Sequence, residues 1–303
     1  MVHAGISARM NTDRIINNLH VFFLSFIFYL FIQEYCPSSR IPTKIYIVNL
    51  NRSGKLCIIS FMHVSVAAEQ LFSVFGIPVS NTMLTAWMVI LLLSISSYFA
   101  TRHMQKIPSG IQNFFEWAIE SLLGLVEGFM GDRKQTLKIF PLAATFFFFI
   151  LASNWMGLLP GFGSIGIHEE GKLVPLFRSA TADLNTTLAF AMISVIIIQI
   201  SGVMALGFFK YGKKFINFSS PINFFVGLLE LISEFAKIIS FSFRLFGSVF
   251  AGEVLLTVIT GLVPYLAPLP FLGLELFIGG IQALVFVLLT IVFIKIATTE
   301  MVH

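Results

Sequence analysis

The chain has 303 residues, of which 57% are hydrophobic and only 11% charged, with 35 phenylalanines and a mean hydropathy of +0.90. So little polar surface cannot cover a soluble globule of this size, which leaves an integral membrane protein. The net charge of +4 resides in the first 61 residues, where six Lys/Arg meet two Asp/Glu; residues 62–303 carry thirteen of each, so the membrane body offers no basic face to nucleic acid.

The leader reads differently from the rest. Val21–Ile32 is an apolar stretch of 12 residues, short for a span and closer to a signal-peptide core, yet Gln33-Glu-Tyr-Cys-Pro follows it instead of a small-residue cleavage site. Residues 1–61 admit three readings: a targeting segment, an extra anchoring helix, or sequence upstream of a start at Met62. The anchor ranks last, because Arg40, Lys44, Arg52 and Lys55 would then follow a span onto its non-cytoplasmic side. Residues 62–303 read as one membrane domain. Cys36 and Cys57 fit neither a disulfide scaffold nor a metal site.

Met83–Ala100 is a first span, closed by Arg102, His103 and Lys106 at an end that should face the cytoplasm. Pro108 and Ser109, with Gln112 three residues on, carry a helix-start signature. Gln112, Glu116, Glu120 and Glu127 share one face of that helix, so it is amphipathic and expected in the interface plane. Ile139–Leu159 is a second span, entered from Arg133, Lys134 and Lys138, and the loop beyond it carries Glu169, Glu170 and Asp183 against Lys172 and Arg178, an outer-side balance. Thr187–Phe209 returns to Lys210, Lys213 and Lys214.

From Pro221 to Leu262 the helical pattern persists for about 60 Å at 1.5 Å per residue, twice the hydrocarbon thickness of about 30 Å. Such a helix must tilt, kink or run along the surface. Gly261, Pro264, Pro268 and Pro270 form a breaker cluster, and Phe271–Ala297 is the return arm. The expected fold is therefore an all-α integral membrane protein with about five membrane-embedded helices and one interfacial amphipathic helix, in which residues 221–297 form a long tilted hairpin.

That hairpin holds the informative charges. Arg244 lies in the string Phe241-Ser-Phe-Arg-Leu-Phe-Gly-Ser-Val-Phe-Ala-Gly-Glu253. An arginine keeps its proton, and holding it at mid-bilayer depth costs about 2.5–3.5 kcal/mol on insertion scales, so an ion pathway or an acidic partner is the first reading. Ser233, Ala236, Lys237, Ser240, Gly247, Ser248 and Ala251 recur at helical steps around it, a mostly small-residue stripe that lets another helix approach. Glu253 is half a turn away, with about 13.5 Å of rise, and cannot pair with Arg244 on the same helix. On the return arm Glu275, Gly279, Gln282 and Phe286 share a face, with Gln282 a polar neighbour for Arg244 across the hairpin. Glu253 and Glu275 lie near the outer ends of their arms and could relay protons. Glu230, Glu234 and Lys237 lie toward the inner side, where snorkelling or ion pairing suffices.

The string from Ser240 to Glu253, with Gln282-Ala-Leu-Val-Phe-Val-Leu-Leu-Thr-Ile-Val, Asn154-Trp-Met-Gly-Leu-Leu-Pro160 and Thr181-Ala-Asp-Leu-Asn-Thr-Thr187, resembles the subunit a family of rotary F-type ATP synthases over residues 78–303. The resemblance implies a proton-translocating stator subunit with two offset half-channels, working against a ring of c subunits beside peripheral-stalk b subunits and the remaining subunits of the complex. On it, Arg244 matches the family's essential ring-facing arginine. Glu253, Glu275 and Gln282 match positions associated with the outer half-channel and the arginine's surroundings, and Ser240, Asn154, Asp183, Glu230 and Ser248 are channel-lining or supporting candidates. Three positions depart from what is frequent in the family: Ser248 stands for asparagine, Gly157 for an acidic residue of some members, and Glu275 for a histidine of some members. A bacterial inner membrane is the simplest location, with an organelle inner membrane the alternative.

Simpler readings stand beside these. Arg244 could snorkel to an interface, Glu253 and Glu275 could make structural hydrogen bonds, and Asn154 and Asp183 could cap helix ends. His103, His168 and His303 lack metal-ligand spacing, and Phe146–Phe149 are expected against lipid. With no phosphate-binding glycine loop, neither a nucleotide site nor a cofactor is expected, and the chain is not an enzyme by itself. A stand-alone transporter would show internal repeats and paired broken helices, and an intramembrane enzyme a nucleophile–base pair; the sequence carries neither. Co-purification with a small acidic proteolipid separates these classes.

Overall fold

A computed structural model describes residues 47–50, 56–59, 70–74, 77–102, 110–159, 166–169, 172–215, 221–263 and 266–299. Val21–Ile32, Met62, Pro108, Ser109 and Pro264 lie outside the described residues, and so does the choice among readings of the leader.

Before the first described helix come two antiparallel hairpins, β1 (Ile47–Leu50) with β2 (Leu56–Ile59) and β3 (Gln70–Val74) with β4 (Ile77–Ser80). Then follow α1 (Asn81–Arg102), α2 (Ile111–Met130), α3 (Arg133–Leu158), a third hairpin β5 (Gly166–Glu169) with β6 (Lys172–Pro175), and α4 (Leu184–Leu206). The chain ends in α5 (Phe208–Phe215), α6 (Pro221–Leu262) and α7 (Pro268–Thr298). Among the described residues five helices, α1, α3, α4, α6 and α7, are long and apolar enough to cross a membrane. The fold is thus the expected all-α membrane body, with short strands, among the described residues, before α1 and in the α3–α4 connection.

Several boundaries differ from expectation for local reasons. Helix α2 starts at Ile111 after Gly110, which caps it without a side-chain bond, and Gln112 Nε2 donates to Glu116 Oε1 at 2.8 Å. Ser109, the other half of the expected capping pair, lies outside the described residues. Asp132 caps α3 by accepting the Lys134 N–H at 3.0 Å, which draws Arg133, Lys134 and Lys138 inside the helix. Gly207, at φ 84°, ends α4 in a conformation that side-chain-bearing residues avoid, and the chain turns into α5. Pro268 and Pro270 open α7 instead of ending α6, since a first helical turn has no use for their missing N–H groups.

Helix α3 packs on α7, α4 packs on both α6 and α7, and α6 and α7 pair as the expected hairpin. Their shared core is aromatic. Phe140, Phe146, Phe149 and Phe190 are at most 1% exposed, which corrects the expectation of lipid contact for Phe146 and Phe149, while Phe147 and Phe148 between them are half-buried. Phe146 meets Phe190 and Phe286 edge-on at 6.0 and 5.5 Å, and Phe241 of α6 joins Phe286 at 5.3 Å. Hydropathy cannot separate lipid from a core of equal polarity, so composition alone could not place these rings. Polar ties run through the same packing: Ser194 with Thr290 at 2.7 Å and Thr187 with Ser242 at 3.3 Å. Helix α2 lays Ile119, Leu122, Val126 and Met130 on this body and leaves Phe114 and Trp117 exposed, the amphipathic pattern expected of it.

Candidate functional site

Arg133 and Lys295 mark one end of the bundle. Arg133 pairs with Glu127 at 2.7 Å, and Lys295 Nζ donates to the Phe129 carbonyl at 2.9 Å, joining the C-terminal end of α7 to the C-terminal end of α2. Asp183 and the segment before it lie at the opposite end, where α3 finishes and α4 begins.

At that opposite end a cavity of about 220 Å³ opens between α3, α6, α7 and the segment before α4, lined among others by Asn154, Arg178, Ser248, Glu253, Glu275 and Gly279. Its centre is an ion pair that sequence reasoning missed. Arg178 Nη2 donates to Glu253 Oε2 at 2.8 Å, and Arg178 Nε donates to Oε1 and Oε2 at 3.0 and 3.1 Å. The guanidinium side chain is 7% exposed and the carboxylate 35%. Arg178 had been counted as a loop charge on the outer side; the structure folds it inward, where a buried cation requires a counter-charge. A signal existed in the sequence: two glutamates on adjacent arms, with Arg244 half a turn away, leave a cation to be found elsewhere.

The segment holding Arg178 is strapped to three helices. The Arg178 N–H donates to Thr85 Oγ1 of α1 at 3.2 Å, Ser179 Oγ donates to the Ser153 carbonyl of α3 at 3.0 Å, and Thr181 Oγ1 donates to Asn154 Oδ1 at 2.5 Å. Asn154 Nδ2 in turn donates to the Gly279 carbonyl of α7 at 3.0 Å. Asn154 is therefore a three-way tie within α3, not the helix-end cap considered from sequence. Asp183 does cap α4, accepting the Asn185 N–H at 3.2 Å. Burial pushes its carboxyl up, and the Asn185 N–H, the Arg178 charge and the Thr82 hydroxyl offset part of that rise. Gly157 lines the cavity where a Cβ would stand 2.7 Å from the Ser179 Cβ, so an acidic side chain has no room there.

Glu275 reaches across the hairpin onto the backbone of α6. A Cβ at position 252 would lie 1.7 Å from Glu275 Oε1, so only glycine leaves the carboxyl its place. Among the described residues Glu275 has neither a hydrogen bond nor an ion pair.

Arg244 looks elsewhere, as helical geometry requires. It is exposed in mid-α6, with no hydrogen bond or ion pair among the described residues. Ser233, Ala236, Ser240 and Ala251 on its stripe are exposed as well, and Ser248, one turn on, belongs both to that stripe and to the cavity wall. Gln282 is half-buried and no bond joins it to Arg244. Toward the basic end, Lys237 pairs with Glu234 at 2.7 Å and lies over the Phe293 ring at 4.8 Å, the pairing expected there. Tyr211 of α5 donates to Gln199 Oε1 at 2.6 Å; burial, then the charges of Glu234 and Glu230, push its hydroxyl up to about 12. The structure thus unites Glu253, Glu275, Asn154 and Ser248 with Arg178, while Arg244, Gln282, Ser240, Asp183 and Glu230 lie outside that cavity.

Five apolar helices, a charged cavity at one end and an exposed arginine on the longest helix define a multi-pass membrane protein with intramembrane ionic groups. The family described as ATP synthase A chain matches residues 83–295, and the chain belongs to that family. It is 35% identical over 225 residues to ATP synthase subunit a of Moorella thermoacetica, covering 74% of this chain and 94% of that protein. ATP synthase subunit a of Campylobacter jejuni subsp. doylei is 37% identical over 214 residues (70% and 87%), and that of Gloeobacter violaceus 40% over 210 residues (69% and 80%).

Proposed function

We propose that the chain is the proton-translocating stator subunit of an ATP synthase membrane sector in a bacterial inner membrane, and that it performs no catalysis itself. The observation that carries this reading is Arg244: an exposed cation midway along a 42-residue apolar helix, on a small-residue face with no hydrogen-bond or ion-pair partner among the described residues. A charge at bilayer depth needs an opposite charge, and a close-packed helix bearing a carboxyl supplies one. A ring of c subunits fits that requirement, with peripheral-stalk b subunits and the rest of the complex as further partners.

On this reading protons enter from the acidic outer side through the cavity of Glu253 and Glu275 and pass Ser248 to a ring carboxylate. A protonated carboxyl crosses lipid far more readily than an ionised one, so the ring turns with its load. Arriving at Arg244, the carboxyl gives up its proton to an inner route bordered by Glu230, and the arginine bars a direct leak between the two routes. Each proton releases about 2.3 kcal/mol per 100 mV, so several drive one ATP. Arg244→Ala in the complete, assembled complex is expected to abolish ΔpH-driven ATP synthesis while passive proton leak persists or rises. Unimpaired synthesis would overturn the reading.

A further inference from the structure

The two outer glutamates are chemically unequal. Both oxygens of Glu253 accept hydrogen bonds from Arg178, whose side chain is 7% exposed. Protonating Glu253 would remove the negative charge that compensates a buried guanidinium, and breaking such a pair is strongly destabilising. The same pair fastens α6 to the segment that Thr85, Ser153 and Asn154 hold from α1 and α3. Glu275 has no such commitment: its carboxyl rests on the Gly252 backbone, faces the same cavity, and forms no hydrogen bond or ion pair among the described residues.

We propose that Arg178 and Glu253 are a fixed ionic clamp, and that Glu275 alone takes up and passes protons in the outer cavity. The proposal rests on the proton-entry reading above and divides the labour within it. The step is a proton transfer: a proton arriving from the outer side as hydronium passes to a Glu275 oxygen and leaves water, and Glu275 returns to the carboxylate when the proton moves on toward the ring-facing side of α6. The charged groups around Glu275 are Glu253 from α6 and Arg178 from the strapped segment, with Asp183 interacting with Arg178 from outside the cavity lining and the neutral Asn154 from α3. Arg178 acts through Glu253 and is a positioning residue.

The clamp makes Glu253 needed only while Arg178 is charged. In complete complexes checked for assembly, Glu253→Gln and Arg178→Gln are each expected to lower ΔpH-driven ATP synthesis, by about tenfold or more, because each orphans a partner. The double variant R178Q/E253Q, which removes both charges, is expected to regain most of the lost rate, and Arg178→Lys to retain more than Arg178→Gln. Glu275→Gln is expected to lose synthesis in either background. A double variant as defective as E253Q, in an assembled complex, would show that Glu253 itself carries protons and would overturn the proposal.

A second measurement needs no variant. A hydrophobic carbodiimide reacts with protonated carboxyl groups, and mass spectrometry of wild-type complex should find Glu275 modified and Glu253 protected; equal labelling would overturn the division. Arg244→Ala, run in parallel, separates the two levels. If it leaves synthesis intact, proton translocation at Arg244 is wrong; if it abolishes synthesis while the clamp variants behave as wild type, only the clamp is wrong.

Discussion

A guanidinium cannot shed its charge, so a buried Arg178 needs a carboxylate against it, and Glu253, itself 35% exposed, meets that demand from α6. Glycine sets the position of the second carboxyl. With a Cβ at 252 lying 1.7 Å from Glu275 Oε1, Gly252→Ala is expected to expel the Glu275 side chain from its seat. Coupled synthesis by the assembled complex should then drop toward the level of Glu275→Gln, and a rate equal to wild type would show that the seat is unimportant. Arg244, Glu253 and Glu275 were legible in the sequence because a charge inside an apolar run announces itself. Arg178 was hidden by its setting, since charges in a connecting loop are ordinarily solvated and counting them for orientation treats them so. Asn154 was visible as a polar residue near a helix end, yet its two bonds reach residues 27 and 125 positions away, which no local pattern encodes.

Element lengths were the most legible feature, because bilayer thickness and breakers fix them: the expected Pro221–Leu262 helix is the helix found. Which face of each span meets protein was not legible, since lipid and core reward the same side chains. The contrast is testable with two phenylalanines. Phe190 is fully buried against Phe146 and Phe149, whereas Phe99 on α1 is 66% exposed. Truncating a buried phenylalanine removes about 3–5 kcal/mol, so Phe190→Ala should lower the unfolding midpoint of the detergent-solubilised complex, and Phe99→Ala should leave it nearly unchanged.

For the whole molecule, the unpaired face is the long helix α6. Its exposed small residues are where a ring helix would approach, so cysteines at Ser240 and Ala251 are expected to cross-link to the partner ring, and a cysteine at the buried Ser242 is not. Equal cross-linking at all three positions would remove the ring from that face. Ser242 also shows how the face is braced. Its hydroxyl meets Thr187 of α4, and Phe241 beside it stacks into the ring cluster of α4 and α7. A rotor that advances by steps pushes sideways on whatever it slides past, and an equal reaction force must be carried away. On the proposed reading the load would leave α6 through the buried flank opposite its exposed stripe into α4 and α7, and at the far end through the Arg178–Glu253 link and Asn154 into α3. The bonds that shape the outer cavity would then also serve as mechanical bracing, and loosening them is expected to show as slip under load before it shows as a blocked channel.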